Sequence, residues 1–134
     1  MGTWGTGPFD SDAAEDFADR VEEIASEDRA LLIRERLEGA ALPGAETPHA
    51  EILAAAAIVV AGMPLGGNFS WNEDYPGISS WLEGADLGDL SLLAATALES
   101  CFAQDSWYWR SWATAEERIE AQGVVATLHR SLQT

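Results

Sequence analysis

The chain has 134 residues, of which 47% are hydrophobic and 22% are charged, so it is long enough for one domain with a real core. Its 23 carboxylates outnumber seven arginines and give a formal net charge of -16, which disfavours nucleic acid as a direct partner because phosphate binding needs clustered basic side chains. The single Cys101 cannot form an internal disulfide, no signal-peptide pattern opens the chain and the apolar run Ile52 to Ala61 is too short to span a membrane, so we expect one cytoplasmic domain over residues 1–134.

The first predicted helix begins at Asp10 to Asp12, where the residue types suit a helix cap. Phe17 and Val21 recur with the spacing of a buried helix face. The opposite side carries carboxylates at similar spacing, which form an acidic stripe: Asp12, Asp16, Asp19 and Glu23. Nine carboxylates and one arginine lie between Asp10 and Asp28, a local charge of -8, so half of the net charge belongs to this segment.

A second helix is predicted to start at the capping residue Ser26 and to end near Gly39. Its three arginines are predicted to face outward and to pair with carboxylates of the first helix: Arg29, Arg34 and Arg36. Thr47 with Pro48 predicts the start of a third helix, because proline suits the first helical position. Since Ile52 to Ala61 is apolar on every side, we expect this helix to lie at the centre.

Residues 64–89 are rich in Gly and Pro, which predicts a long loop with one helical turn around Ser80 to Glu83. A fourth helix is predicted over Leu90 to Ala103, and a capping box at Thr114 and Glu117 starts a fifth. The inward side of the fifth helix is predicted to carry Ala121, Val125, Leu128 and Leu132, with close packing at Gly123. No segment shows strand alternation, so the fold class is all-α, a compact bundle of about five helices with two Trp-rich loops.

The two loops contain five of the six tryptophans. Rings beside charged groups are typical of ligand sites, so the loops are candidates for a pocket lined by Trp71, Asp74, Trp107, Trp109 and Arg110. The alternative is that the indoles are part of the core and close the ends of the bundle.

His49 and His129 match no metal-ligand pattern, so neither a metal nor a cofactor is predicted. His129 is predicted to stabilise the carboxyl end of its helix, and Cys101 is predicted to be a small buried apolar residue. No pair of carboxylates stands out as catalytic, so no catalytic residue is named and a non-enzymatic protein is favoured.

The opening MGTWGTGPFDSDAA resembles the start of a bacterial family, the domain-of-unknown-function family 4259, in Trp4, its glycines and the pattern Phe9-Asp10-x-Asp12. The resemblance implies a bacterial, cytoplasmic protein and brings no established activity or catalytic residue. Several small families of this kind are suspected immunity partners of bacterial toxins. From the residues themselves, we expect Trp4 and Phe9 to fold the N-terminal segment back over the bundle.

The leading hypothesis is a non-enzymatic, immunity- or inhibitor-like module whose acidic stripe binds a basic protein such as a toxin. The second is a small-molecule-binding protein or enzyme that uses the pocket between the Trp-rich loops. The third is a homo-oligomer in which exposed aromatic side chains form the self-interface. None of the three involves a membrane or direct contact with nucleic acid.

Overall fold

The computed structural model describes residues 7–40, 49–64, 69–102, 109, 112 and 114–133. Over these residues the chain forms five α-helices and no strand, which confirms the predicted all-α class. The helices are α1 (Asp12–Glu23), α2 (Ser26–Ala40), α3 (His49–Ala61), α4 (Leu87–Cys101) and α5 (Ala115–Leu132). Two short 3-10 helices, Ser70–Asp74 and Ile78–Ser80, lie between α3 and α4. None of the described helices is both long and apolar enough to cross a membrane.

The central helix is α3, as its uniformly apolar sequence predicts. Every residue from Ile52 to Ala61 is buried, and α3 contacts each of the other four helices. Its run of alanines has small side chains, which lets the neighbouring backbones approach closely. The other helices therefore surround α3 and keep one face towards solvent.

Helix α1 begins where the capping residues predict. The Ser11 side chain accepts a hydrogen bond from the backbone N–H of Ala14 at 3.1 Å, which satisfies one of the free N–H groups of the first turn. Phe17 and Val21 are buried against the core, so the polar residues between them face outward. Phe9, just before the helix, is also buried, as expected; Trp4 lies outside the described residues.

Helix α5 begins at the predicted N-cap, Thr114. The Thr114 side chain accepts a hydrogen bond from the backbone N–H of Glu117 at 3.1 Å and lies 3.1 Å from the Glu117 carboxylate. The four apolar positions of the predicted inward face are all buried: Ala121, Val125, Leu128 and Leu132. The prediction of close packing at Gly123 is wrong, because this glycine is exposed and an added Cβ would have no neighbour within 4 Å.

The arginines of α2 do not pair with carboxylates of α1, contrary to the prediction. Arg34 pairs with Asp89 of α4, and Nε of Arg36 lies 3.1 Å from Oε1 of Glu51 on α3. Arg29 does reach α1, but it donates to backbone carbonyls there. These side chains extend from α2 to three different helices. They therefore connect α2 to the rest of the bundle and do not neutralise the acidic side of α1.

Candidate functional site

The acidic side of α1 is a continuous exposed surface, which we call the acidic face and define by Asp12, Asp16, Asp19 and Glu23. All four side chains are exposed, as are Glu15 and Glu22 beside them. The four positions follow helical spacing, whereas Phe17 and Val21 on the other side are buried. The sequence pattern thus predicts which side of α1 faces solvent.

Among the described residues, no cation lies within ion-pair distance of the acidic face. Arg20 belongs to α1 but forms none of the ion pairs seen in the described ranges. The arginines of α2 are engaged elsewhere in the bundle, by Asp89, Glu51 and the backbone of α1. None of the ion pairs seen among the described residues therefore neutralises a carboxylate of the acidic face.

Tyr75, in the first Trp-rich loop, is buried and is influenced by carboxylates of helix α1 and of its own loop. Burial raises the pKa of its hydroxyl, and the negative charges of Asp19, Glu15, Asp74 and Glu22 raise the pKa further. The hydroxyl of Tyr75 is therefore influenced by carboxylates of both α1 and the first Trp-rich loop. Asp74, predicted from the sequence as a pocket residue, is exposed.

A cluster of aromatic rings underlies this region. The ring of Tyr75 lies 5.0 Å from that of Phe9 and 5.7 Å from that of Trp81, measured between centroids. All three side chains are buried, and the guanidinium of Arg29 lies 6.0 Å from the Trp81 centroid. This part of the first loop is therefore packed as core, in agreement with the alternative interpretation of its tryptophans.

The other candidate pocket residues lie in different surroundings. Trp71 is half-buried and stacks on Phe69, with ring centroids 4.5 Å apart. Trp109 is buried and lies 5.9 Å from the ring of Phe102. Trp107 and Arg110 fall outside the described residues, so the predicted pocket between the loops remains a prediction.

An open groove lies between α4 and α5, and we call it the α4–α5 groove. Its volume is about 510 Å³. Its lining is formed by Leu98, Glu99, Phe102, Trp109, Gln122, Val125, Ala126 and His129. Trp109 is thus the one member of the predicted pocket, among its described residues, that lines this groove; Trp71 and Asp74 do not.

Two polar side chains of the groove lining are in direct contact. Nε2 of His129 on α5 lies 2.7 Å from Oε2 of Glu99 on α4. The sequence predicts only an interaction of His129 with its own helix end, because a contact across 30 residues has no local signal. The groove also has no local signal in the sequence, because it forms only when α4 packs against α5.

His49 and Cys101 lie together at the start of α3 and the end of α4. The His49 ring packs edge-on against Phe102, with centroids 5.2 Å apart. Burial lowers the pKa of His49, and a hydrogen bond with the backbone of Cys101 opposes that shift. Burial also raises the pKa of the Cys101 thiol, which disfavours the reactive thiolate. Within the described ranges, no group of three or more His, Cys, Asp or Glu residues is arranged to hold a metal ion.

Comparison with known proteins gives a family and no activity. No curated protein and no solved structure matches the chain. The sequence profile of one family, described as a domain of unknown function, matches residues 2–123. That match covers most of the chain and extends far beyond the N-terminal stretch that carries the resemblance. The chain belongs to the DUF4259 family.

Proposed function

We propose that this protein is a non-enzymatic binding module whose acidic face engages a basic protein. The observation that carries the proposal is the exposure of Asp12, Asp16, Asp19 and Glu23 on one side of α1, with no cation of the described residues in ion-pair distance. Like charges at helical spacing lower the stability of a helix. An array of this kind therefore has a cost in stability, which a binding role would explain.

The expected partner carries lysines or arginines along a surface that matches α1 in length. Asp12 and Glu23 are 11 positions apart, so the acidic face extends for roughly 16 Å along the helix axis. Opposite charge on the partner would accelerate association and exclude acidic competitors. A toxin or a nucleic-acid-handling protein of the bacterial cytoplasm has the required basic character.

The proposal is tested with three baits in lysates of the source cells. The first is the unchanged chain, and the second carries Asp12→Asn, Asp16→Asn, Asp19→Asn and Glu23→Gln. The third is a control that loses the same charge at exposed positions outside α1: Glu35→Gln, Glu38→Gln, Glu83→Gln and Glu116→Gln. Quantitative mass spectrometry then compares the proteins that each bait retains.

We expect a basic protein on the unchanged and control baits and its loss from the bait with a neutralised acidic face. Both variants have the same net charge. A difference in the proteins that they retain is therefore due to the substitutions in α1. If the two variants retain the same proteins in the same amounts, the acidic face is not the binding surface and the proposal fails.

A further inference from the structure

The α4–α5 groove has the size and composition of a ligand site that is separate from the acidic face. Its volume of about 510 Å³ lies within the range of small-molecule pockets, roughly 300–1,000 Å³. Five of its eight lining residues are apolar: Leu98, Phe102, Trp109, Val125 and Ala126. None of them belongs to α1, so a ligand here would not occupy the surface proposed for the basic protein.

The aromatic part of the groove favours a planar ligand. Phe102 and Trp109 lie side by side with their ring planes inclined by 52°, and both line the groove. Aromatic rings pack against each other in offset or edge-to-face arrangements that add stabilisation beyond the area they bury. A flat ring inserted beside this pair would therefore gain more than a flexible chain of equal size.

The one carboxylate of the groove lining, Glu99, favours a cation over an anion. Glu99 is 61% exposed at the rim, and its Oε2 pairs with His129, which is 30% exposed. The carboxylate has further acceptor positions for a second donor, because an ionised Glu offers about four lone pairs. The chain as a whole carries -16, so an anionic ligand would approach against the field and a cationic ligand with it.

The distance between Glu99 and Phe102 sets the length of the link between the aromatic ring and the charged group of a ligand. Glu99 lies in the last turn of α4 and Phe102 is its C-cap, three positions later, so both side chains lie on the same side of the helix end, about 5–6 Å apart at their Cβ atoms. We propose that the α4–α5 groove binds a small aromatic amine, with its ring beside Phe102 and Trp109 and its ammonium group on Glu99. An amine one or two bonds from the ring spans that distance.

The test uses two probes with the same ring and opposite charge, 1-naphthylmethylamine and 1-naphthylacetate. Isothermal titration calorimetry of the full chain measures the affinity for each probe. We expect the amine to bind with a dissociation constant in the submillimolar range, and the acid about tenfold more weakly, since attraction to Glu99 becomes repulsion. Failure of the amine to bind, or equal affinity for both probes, would overturn the proposal.

Two variants locate the binding. Glu99→Gln should weaken amine binding about threefold, the scale of an exposed charge pair, whereas Glu116→Gln, an equal charge change outside the lining, should leave it unchanged. Ala126→Trp fills the groove from an exposed position of α5 and should abolish binding, while Ala115→Trp, also outside the lining, should not. Circular dichroism confirms that each variant is folded. Amine binding that survives in folded Ala126→Trp would place the ligand elsewhere and contradict the assignment.

Discussion

The guanidinium group of Arg29 on α2 binds the carboxyl end of α1 through two backbone carbonyls. Its Nε donates to the carbonyl oxygen of Val21 at 2.9 Å, and its Nη2 donates to that of Glu22 at 2.8 Å. The last carbonyls of a helix have no partner within the helix, so a cation that satisfies two of them stabilises that end. Arg29 thus supports the acidic helix without covering its exposed carboxylates.

Replacement of Arg29 should therefore lower stability. We expect Arg29→Ala to reduce the free energy of unfolding by about 1.5 kcal/mol, the scale of hydrogen bonds made by a charged group. Urea denaturation measures the change. Arg130→Ala removes an exposed arginine from the last turn of α5 and should cost clearly less. Equal losses in the two variants would mean that the Arg29 contacts add nothing specific.

The acidic face should lower the stability of the isolated protein. Asp16, Asp19 and Glu23 are spaced by three and four residues on α1, and each such like-charge pair costs about 0.2–0.5 kcal/mol. We expect the variant Asp16→Asn, Asp19→Asn, Glu23→Gln to have a higher melting temperature than the unchanged chain at low salt. The gain should shrink as added salt screens the repulsion.

A control separates this effect from net charge. Replacement of Glu35, Glu83 and Glu116 by Gln removes the same charge from separate parts of the chain. It should raise the melting temperature less, because these residues are not neighbours on one helix face. An equal gain would assign the repulsion to the whole molecule and not to α1.

Two glycines should respond to alanine in opposite ways. Gly123 lies in α5, is exposed and has no atom near an added Cβ, so Gly123→Ala should stabilise the protein by about 1 kcal/mol through helix propensity. Gly77 has φ of +84°, a conformation that strains residues with a Cβ, so Gly77→Ala should destabilise it. Thermal denaturation should show a higher melting temperature for Gly123→Ala and a lower one for Gly77→Ala. A lower melting temperature for Gly123→Ala would show that a side chain at this position meets a neighbour.

His49 should make stability depend on pH on the acid side of neutrality. Its pKa in the folded state lies below the usual 6.5, chiefly because of burial, so the unfolded chain takes up a proton first. The stability contributed by neutral His49 is therefore present above pH 6.5 and is lost as the pH falls towards the folded pKa.

The comparison is between the unchanged chain and His49→Gln, each unfolded in urea across this pH range. We expect the free energy of unfolding of the unchanged chain to exceed that of His49→Gln by less as the pH is lowered. The control variant His129→Gln, which keeps His49, should lose stability on acidification as the unchanged chain does. An advantage of His49 that is constant or grows on acidification would contradict the burial effect.

Local patterns in the sequence predict most of the bundle. The N-cap at Thr114 and the inward face from Ala121 to Leu132 depend on residues three or four positions apart, and both are confirmed. The 3-10 helix Ser70–Asp74 lies where the sequence predicts a loop, since five residues with neighbouring glycines give no period to detect. Helix α2 begins at Ser26 itself and ends one residue after Gly39, so its bounds differ from the predicted ones only by the usual variation at helix ends.

The candidate sites depend on contacts that no local pattern contains. The exposure of the acidic face follows from the spacing of its carboxylates along one helix. The joint effect of Asp19 and Asp74 on the pKa of Tyr75 does not follow from a local pattern, because these two carboxylates lie 55 positions apart in the sequence. The pairing of Glu99 with His129 has the same origin, in the packing of α4 against α5.

The most direct test of the acidic face is the rate at which a partner recovered with the unchanged bait associates with it. Stopped-flow measurements at salt concentrations from about 50 to 500 mM cover the range in which surface charges become screened. We predict that the association rate constant falls at least about tenfold over this range for the unchanged chain, and that neutralisation of Asp12, Asp16, Asp19 and Glu23 gives a slow rate at every salt concentration. A rate that is independent of salt, or unaffected by these four substitutions, would contradict the account.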